Sequence, residues 1–321
     1  MHSTISKSCP ICNNEVNNIV LDTNEKMLDT NDEFKYLNCS NCGTLSLIDI
    51  PLNMNKYYPS SYYSFTKTSR RQTNNFLDVI KKYLRKSSMK GQLGIGTYVD
   101  RFINKIRPIF FNWLKKDLIS LDAKILDVGC GNGFLITEMQ KYGFSNLIGI
   151  DLFIDNDINE QNIRVYKSDL NSLEESQFDL IMYHHSFEHI NNPHLELQAI
   201  YKKLKDNGTL IIRVPVCDSY AFRHYKNNWV QLDAPRHYFL YTKKSMQILS
   251  KDNGFNVFDF HCDSNSFQFV GSECYLRNKP LSDSKDLFTV DEMKIWEEKS
   301  KELNQVQDGD SVCFYLKKIL S

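Results

Sequence analysis

Three glycines at alternate positions, directly after a short apolar stretch, constrain the fold of this chain more than any other feature. Residues 124–134 read KILDVGCGNGF, so the apolar stretch ends in Asp127 and is followed by Gly129, Gly131 and Gly133. Glycine costs stability inside regular structure, so a cluster of glycines indicates a backbone that must turn sharply or approach another group closely. The sequence therefore predicts a strand, a tight turn and a helix, in this order.

Strand-like and helix-like segments alternate from residue 123 onwards. The predicted strands are AKILDVG, NLIGIDLF, IRVYKSDL, FDLIMYHH and GTLIIRVP, and the predicted helices include GFLITEMQKYG and residues 193–205. A β–α–β series folds into a parallel sheet covered by helices, and ligands bind at the carboxyl ends of its strands. The three glycines lie at that end of the first strand.

Three acidic residues follow strands in positions that suit a nucleoside carrying an amino acid. Asp127 suits a positively charged amino acid group better than a pyrophosphate. Asp151 ends the second strand, 24 residues later, and can accept two hydrogen bonds from ribose hydroxyls. Asp169 follows the third strand, where a carboxylate can bind the adenine amino group. With FDLIMYHHSFEHI and LKDNGTLIIRVP, this layout resembles the class I S-adenosylmethionine-dependent methyltransferases over about residues 105–260.

The resemblance implies an α/β fold with a Rossmann-like class I methyltransferase sheet, and S-adenosylmethionine as the cofactor. The residues implied to bind the cofactor follow the first four strands: Asp127, Gly129, Cys130, Gly131, Gly133, Asp151, Leu152, Asp169, Leu170 and His184. Of these, the glycines would line the methionine part, Asp151 would hold the ribose, and Asp169 and Leu170 would flank the adenine.

The last two strands of the sheet are predicted at 257–262 and 311–318. In the class I fold the seventh strand is antiparallel and lies beside the fifth. Residues 263–307 would then be an insertion, with a helix near 290–304. An alternative places the seventh strand at FQFVGSECYL, residues 267–276.

Four of the nine cysteines form two Cys-x2-Cys pairs with 26 residues between them, Cys9 with Cys12 and Cys39 with Cys42. Each pair predicts a tight turn that directs two thiolates to one point, and four thiolates make the closed tetrahedral site of structural zinc. An iron–sulfur cluster or a redox dithiol is the alternative. Residues 7–50 resemble a zinc ribbon with rubredoxin-type knuckles, which implies a structural Zn²⁺ ion without an open position for catalysis.

The chain divides into three predicted parts: a zinc ribbon at 1–50, an aromatic and basic helical connector at 51–122, and the methyltransferase domain at 123–321. The formal net charge is zero, so the molecule as a whole is not predicted to bind polyanions. The stretch from Lys67 to Lys124 nevertheless holds 14 basic and 4 acidic residues. It could contact phosphates or a membrane surface, or it could be a solvated helical face.

The segment YHHSFEHI, after the fourth strand, is one candidate for the chemistry. Methyl transfer is an in-line displacement, and it needs a base only when the acceptor must lose a proton. His185, Glu188 and His189 are spaced so that they would share one face of a helical turn. They could hold a metal ion, His189 could act as a base, or the group could have a structural role.

The loop NNWVQLDAPRHYFLY, residues 227–241, is the second candidate. It is predicted at the carboxyl side of the sheet, where loops on a rigid scaffold carry function. Arg236 could bind a phosphate or carboxylate of the substrate, and Trp229 and Tyr238 are predicted to contact the substrate as well. His237 is a second candidate base. The alternative is a loop that leads into a helix and is closed by a buried tryptophan.

The motifs SFEHI-NNP and W-x5-PRH resemble a bacterial group of methyltransferases often found in polysaccharide and secondary-metabolite clusters. The resemblance implies a small-molecule acceptor, in the first place a nucleotide sugar or a glycan. One alternative is an RNA methyltransferase that binds its substrate with the ribbon and the basic connector, although the zero net charge makes a nucleic-acid partner a weaker expectation. Another is a non-catalytic binding module.

The sequence also limits where the protein is expected to act. It has no apolar segment of about 18 residues and no apolar signal-peptide core near Met1, which predicts a cytoplasmic protein without a membrane span. The pattern predicts neither the oligomeric state nor whether oxygen, nitrogen or carbon receives the methyl group.

Overall fold

The computed structural model describes residues 4–5, 7–58, 110, 113–114, 119–160 and 163–320. Contacts between residues divide the chain into two compact units. The first unit comprises Met1–Pro59, His185–Tyr201 and Ile211–Ser321, and the second comprises Ser60–His184 and Lys202–Leu210. Most of the connector and of its basic stretch lies outside the described residues, so those predictions stay predictions, as do the three predicted domain bounds.

The described residues form thirteen strands and seven α-helices. The strands are β1 Thr4–Ile5, β2 Asn18–Asn24, β3 Glu33–Asn38, β4 Leu45–Leu47, β5 Lys124–Val128, β6 Asn146–Ile150, β7 Ile158–Glu160, β8 Ile163–Tyr166, β9 Phe178–His184, β10 Leu204–Pro215, β11 Phe239–Leu240, β12 Phe255–Cys262 and β13 Ser311–Lys318. The helices are α1 Phe134–Lys141, α2 Pro193–Lys203, α3 Tyr220–Tyr225, α4 Lys243–Asp252, α5 Phe267–Leu276, α6 Ser284–Leu287 and α7 Val290–Gln305.

The second unit is built on the parallel strands predicted from the apolar segments. Strands β9, β5, β6 and β8 follow one another in parallel, β7 pairs antiparallel with β8, and β10 begins beside β9. Four of the five residues of β5 and of β6 are buried, as expected for strands that are covered on both faces. The register places Asp127 of β5 opposite Gly149 of β6 and Met182 of β9.

The first unit contains the last strands of the same series. Strand β13 pairs antiparallel with β12 and lies between β12 and β10. The sixth and seventh strands predicted at 257–262 and 311–318 are thereby confirmed, with β12 starting two residues earlier. With β10 common to both sets of strands, the predicted Rossmann-like class I fold is confirmed.

Helix α5 shows that the alternative seventh strand, at residues 267–276, is wrong. The segment resembles a buried strand in sequence because its apolar residues follow no helical period. In the structure it is a helix with seven of its ten residues buried. The position of Gly271 explains this burial, since a Cβ there would lie 2.4 Å from Cγ2 of Val230. The glycine lets the helix pack closely against the turn Val230–Leu232. The helix predicted near 290–304 is confirmed as α7.

A second sheet in the first unit contains the ribbon. Its strand order is β1-β2-β3-β4-β11, so the ribbon strands are extended by a strand from the loop 227–241. Tyr36 and Leu45 of the ribbon belong to one buried cluster with Trp229 and Leu240 of that loop. The ribbon and the loop therefore share a hydrophobic core. Among the described residues, no helix has both the length and the apolar character needed to cross a membrane.

Candidate functional site

The glycine loop after β5 has backbone angles that glycine adopts much more readily than other residues. Gly129, Gly131 and Gly133 have φ values of 72°, 53° and 76°. A Cβ on Gly133 would lie 2.7 Å from Cγ2 of Val165, so a larger residue would also lack space. Helix α1 follows the loop directly, and a helix N-terminus offers backbone N–H groups to a ligand. The glycine pattern therefore serves both a turn and a close approach.

Asp151, directly after β6, holds this loop by hydrogen bonds. Its Oδ2 accepts a hydrogen bond from the backbone N–H of Gly131 at 2.9 Å, and its Oδ1 accepts one from Phe153 N–H at 2.8 Å. Each carboxylate oxygen can accept more than one hydrogen bond, so hydroxyl groups of a ligand can be added. Two of the predicted cofactor-binding residues are thus in direct contact.

Asp127 is a buried carboxylate in β5, with 2% of its surface exposed. Burial raises the pKa of Asp127 to about 7, and the negative charge of Asp151 contributes to this shift. A buried carboxylate is costly when charged, and a cationic partner offsets that cost. The position therefore suits the positively charged group for which Asp127 was predicted.

Three further predicted cofactor-binding residues, of which Asp169 and Leu170 were predicted to flank the adenine, differ in exposure. The Leu152 side chain is 54% exposed, whereas Leu170 is buried. Asp169 is exposed, and its Oδ1 accepts a hydrogen bond from Ser172 N–H at 2.7 Å. These three residues follow β6 and β8, neighbouring parallel strands, so their backbones lie at the same edge of the sheet.

Cys130 and His184 complete the predicted cofactor-binding group. Cys130 packs on β6, where a Cβ on Gly149 would lie 2.5 Å from the Cys130 Sγ. The His184 ring lies against Trp113, with 4.0 Å between the ring centroids. Gly149, like Gly133, therefore lies where a larger residue would lack space. The His184 ring packs against an aromatic side chain.

The four predicted zinc ligands come together in the first unit. Their Sγ atoms all lie within 4.8 Å of one another, with 3.7 Å between Cys9 and Cys42 and 3.5 Å between Cys12 and Cys39. A tetrahedral site with Zn–S bonds of about 2.3 Å places its sulfurs about 3.8 Å apart, so the four thiols fit this ion. A hydrogen bond from Cys9 lowers the pKa of the Cys42 thiol to about 5, towards the thiolate that a metal requires.

Both cysteine pairs lie in the same kind of turn. The residue after each second cysteine has a left-handed backbone, with φ of 56° at Asn13 and 76° at Gly43. The Asn13 N–H donates to Cys9 O and the Gly43 N–H donates to Cys39 O, each at 2.9 Å. A Cβ on Gly43 would also lie 3.0 Å from Cγ2 of Thr242. The repeated geometry explains why both pairs direct their thiols to one point.

Glu188, His189 and His237 form a second group of side chains that could bind a metal, also in the first unit. One ligand atom of each lies within 4.8 Å of the other two. The Nε2 atom of His237 is 3.9 Å from Oε1 of Glu188, and the two histidine rings have centroids 4.9 Å apart. The structure thus brings together the two predicted catalytic histidines, which are 48 positions apart in the chain.

His185 lies next to this group, but its backbone is not part of the helical turn that the sequence predicted. The helical turn spans only Phe187–His189, and His185 precedes it with a left-handed φ of 52°. Its Nδ1 is 3.5 Å from Oε1 of Glu188. The third member of the metal-compatible group is His237 in place of the predicted His185.

The electrostatics of the group favour a charged Glu188. Burial by itself would raise the pKa of Glu188, but the His185 imidazole 3.5 Å away and the positive charge that His189 and His237 carry when protonated outweigh it and lower the pKa to about 2. Burial lowers the pKa of His189 and so favours its neutral form. The charge of Glu188 therefore favours protonated histidines, whereas burial opposes protonation of His189.

The Arg236 side chain is fully buried, and its donors are directed at protein acceptors. Its Nε is 3.0 Å from both carboxylate oxygens of Asp233, and one terminal nitrogen donates to Oε1 of Glu25 at 2.9 Å. The other terminal nitrogen donates to Tyr57 O at 3.3 Å. In this structure Arg236 fixes the ribbon residue Glu25 to the loop, and its predicted contact with substrate stays a prediction.

Trp229 and Tyr238, the other predicted substrate residues, differ in position. Trp229 is buried, and its Nε1–H donates to Oδ2 of Asp310 at 2.9 Å. This burial agrees with the alternative of a loop closed by a buried tryptophan, and the predicted contact of Trp229 with substrate stays a prediction. Tyr238 is only partly buried, and its backbone N–H donates to Glu188 O at 2.9 Å. Of the two, Tyr238 has the side chain with more surface available to a ligand.

Three residues that position this group were missed from the sequence. Glu25 and Tyr36 lie in the ribbon, and the Tyr36 hydroxyl donates to His237 O at 2.6 Å. No sequence pattern marks either residue, because their partners are about 200 positions away. Asp233 was visible as an acid three positions before Arg236, a spacing at which side chains meet on a helical turn.

Comparison with known proteins places the chain among methyltransferases. A family model described as a methyltransferase domain matches residues 94–259. The chain is 37% identical over 73 residues to EEF1A lysine methyltransferase 2 from Mus musculus, covering 23% of this chain and 28% of that protein. It is 32% identical over 124 residues to a ubiquinone biosynthesis O-methyltransferase from Rickettsia bellii (strain OSU 85-389), covering 34% of this chain and 51% of that protein.

A third relative is a tRNA U34 carboxymethyltransferase from Helicobacter acinonychis (strain Sheeba). It is 32% identical over 120 residues, covering 33% of this chain and 46% of that protein. The chain thus spans between 28% and 51% of the length of these three relatives.

Proposed function

The chain belongs to the methyltransferase domain family, and from this premise we propose that it is an S-adenosylmethionine-dependent methyltransferase. The observation that carries the proposal is the left-handed backbone of Gly129, Gly131 and Gly133, which leads from Asp127 and is hydrogen-bonded to Asp151. The first carboxylate suits the cationic amino group of the cofactor, and the second suits its ribose hydroxyls.

The cofactor supplies a methyl group on a positively charged sulfur, and the residues of the chain bind and orient it. We assign the methionine part to the glycine loop with Cys130, and the ribose to Asp151. We assign the adenine to the exposed side chains of Leu152 and Asp169, with Leu170 and His184 completing its surroundings. Alignment of the methyl group with its acceptor then supplies most of the rate, as in other displacements between held reactants.

Cofactor affinity should fall about tenfold for each pH unit below pH 7, because protonated Asp127 must lose its proton before it can pair with the cofactor amino group. That amino group has an ordinary pKa of about 7.7–8.0, so it is mostly cationic over this range. Calorimetric titration between about pH 5.5 and 7.5 measures the slope.

The Asp127→Asn variant is the matched control, because it cannot ionise at this position. The variant should bind the cofactor weakly at every pH, and its affinity should not show the tenfold fall for each pH unit that is expected from Asp127. A constant affinity in the wild type, or the same slope in the variant, would show that Asp127 does not pair with the cofactor.

His189 and His237 are the proposed catalytic residues, acting on an acceptor that must lose a proton. Their place beside the buried Glu188 supports this assignment. We assign Tyr238 to the acceptor because its side chain is partly exposed. Trp229 and Arg236, which are buried and bound to protein partners, are assigned to holding the loop in place for the acceptor.

The proposed acceptor is a small molecule, in the first place a nucleotide sugar or a glycan. This finer proposal is supported by the resemblance of SFEHI-NNP and W-x5-PRH to the polysaccharide-cluster group. Incubation of the zinc-loaded protein with S-adenosylmethionine and panels of nucleotide sugars and glycans should release S-adenosylhomocysteine with some members. If no member of any panel leads to release of S-adenosylhomocysteine while the cofactor still binds, the acceptor belongs to another class.

RNA is the second candidate acceptor. It is favoured by the excess of basic residues between Lys67 and Lys124 and by the similarity to a tRNA-modifying relative. Binding through phosphates would weaken steeply as salt rises. Gel retardation of transfer and ribosomal RNA at low salt tests this proposal, and free RNA at every protein concentration would eliminate it. Methyl transfer to any acceptor in these assays would exclude the remaining alternative, a non-catalytic binding module.

We further propose that Cys9, Cys12, Cys39 and Cys42 hold a structural Zn²⁺ ion. The distances between the four thiols support it. Four thiolates close the coordination sphere, so the ion stabilises the ribbon and leaves no position for a substrate. The cytoplasmic location stays a prediction from the sequence.

A further inference from the structure

The group of Glu188, His189 and His237 has features that proton transfer alone does not require. All three residues lie in the first unit, and they come from two separate segments, the turn Phe187–His189 and the loop before β11. One ligand atom from each lies within 4.8 Å of the others. Two imidazoles and one carboxylate are a ligand set that binds divalent first-row metals in proteins.

The tautomer of both histidines is fixed by backbone carbonyls. Nδ1 of His189 lies 2.7 Å from Arg236 O, and Nδ1 of His237 lies 2.7 Å from Gln231 O. A carbonyl oxygen can only accept a hydrogen bond, so each Nδ1 must carry the proton. In the neutral ring, Nε2 is then left with a free lone pair. Metal-binding histidines have this arrangement, in which the other ring nitrogen donates to a carbonyl or carboxylate.

The carboxylate of Glu188 lacks the partners that a buried anion normally has. Its side chain is fully buried, and among the described residues no donor forms a hydrogen bond with either oxygen. The nearest cationic candidates are ring nitrogens of His185 at 3.5 Å and His237 at 3.9 Å. A buried charge without hydrogen bonds is costly, and a bound cation removes that cost.

The neighbouring charges also favour a cation. The His237 Nε2 lies 3.9 Å from Oε1 of Glu188 and 3.8 Å from Oδ2 of Asp233. Arg236 forms ion pairs with both Asp233 and Glu25. Apart from the histidines, three carboxylates and one guanidinium carry a formal charge of −2 in this part of the described chain. A divalent ion would balance this charge.

We propose that Glu188, His189 and His237 bind a divalent first-row transition metal ion through one carboxylate oxygen and the two Nε2 atoms. Three protein ligands leave at least one coordination position for water or for an oxygen of the acceptor. An oxygen bound there loses its proton more easily, since the metal stabilises the anion. The histidines would then activate an acceptor by holding the ion. The binding site itself does not depend on methyl transfer.

The test adds Co²⁺ to the full-length, zinc-loaded protein without cofactor or acceptor. We expect one Co²⁺ per chain, with weak visible d–d absorption from nitrogen and oxygen ligands. Exchange into the ribbon would instead give intense sulfur-to-metal absorption in the near ultraviolet, so the two sites are distinguishable. Because the assay contains no methyl donor, it reports on the metal site even if the proposed methyltransferase activity fails.

Three variants locate the ion. Glu188→Gln and His237→Gln should each weaken Co²⁺ binding at least tenfold, and His224→Gln, an exposed histidine away from the cluster, should bind as the wild type does. Co²⁺ should also raise the melting temperature of the wild type and of His224→Gln, and not of the other two. If Glu188→Gln does not fold, His189→Gln replaces it in the series. The proposal is overturned if no Co²⁺ binds outside the ribbon, or if binding persists unchanged in the cluster variants.

Discussion

Replacement of Arg236 by methionine should lower the free energy of unfolding by about 3–5 kcal/mol, because it leaves buried carboxylates without their cation. Glu25 is fully buried, and the Asp233 side chain is only 12% exposed. Methionine fills much of the volume and removes every donor. Urea unfolding followed by tryptophan fluorescence measures the change, and Trp229 lies in the same buried cluster as the ribbon residues.

Arg223→Met provides the matched control. Arg223 also makes two hydrogen bonds to one carboxylate, that of Asp308, but its side chain is 54% exposed. Exposed ion pairs contribute about 0–1 kcal/mol, so this variant should change little. Adding Glu25→Gln to Arg236→Met should restore part of the loss, since one buried charge is then removed. Equal losses in the two arginine variants would contradict the structural role given to Arg236.

Loss of one thiol of the ribbon should have a still larger effect. Cys39→Ser should lose one zinc ion per chain, and it should remove most of the metal contribution to folding, which is about 10–16 kcal/mol in isolated zinc fingers. The ribbon should unfold as a result. Its partners should be affected as well, because β4 pairs with β11 and Tyr36 holds the backbone of His237. Elemental analysis together with hydrogen exchange across residues 7–50 and 233–241 measures both effects.

Cys274→Ser is the control for this experiment. Cys274 is buried, as Cys39 is, but it lies in α5 and not in the four-thiol group. It should keep the full zinc content and normal exchange in the ribbon. Retention of zinc by Cys39→Ser would contradict the role of Cys39 as a ligand. Exchange that increases only within residues 7–50 would show that the ribbon does not support the loop.

Local features of the sequence predicted the backbone of the glycine loop well. Gly129, Gly131 and Gly133 have a left-handed backbone, a local property that glycine adopts more readily than other residues. The contact of Asp151 with Gly131 follows from the register of adjacent parallel strands. The two cysteine pairs are similarly local, because each turn closes within five residues.

The arrangement around Glu188 could not be predicted in the same way. The spacing of His185, Glu188 and His189 favoured a helical face, but the left-handed φ of His185 interrupts the turn. His237 reaches Glu188 only through tertiary packing, since 49 positions separate them. The contact of Glu25 with Arg236 spans 211 positions and depends on the ribbon sheet that includes β11. Patterns of neighbouring residues contain no information about such contacts.

The apolar segment at 267–276 shows a different limit of sequence reasoning. A fully buried helix and a buried strand have the same apolar composition, so periodicity does not separate them. The arrangement is decided by the packing of Gly271 against Val230, which a sequence of single letters does not reveal. Strand β13, by contrast, was predictable at its observed bounds because its neighbours in the class I sheet constrain it.

Calorimetric titration with S-adenosylmethionine at about pH 7.5 tests the central proposal most directly. The zinc-loaded wild type should bind one molecule per chain. Asp151→Ala should bind at least a hundredfold more weakly, because it loses charge-assisted hydrogen bonds to the ribose and to the Gly131 loop, each of about 1.5–3 kcal/mol. Asp155→Ala, which removes an exposed acid from the same connection, should bind as the wild type does. Equal binding by the Asp151 and Asp155 variants, or no binding by the wild type, would contradict the assignment of this loop to the methyl donor.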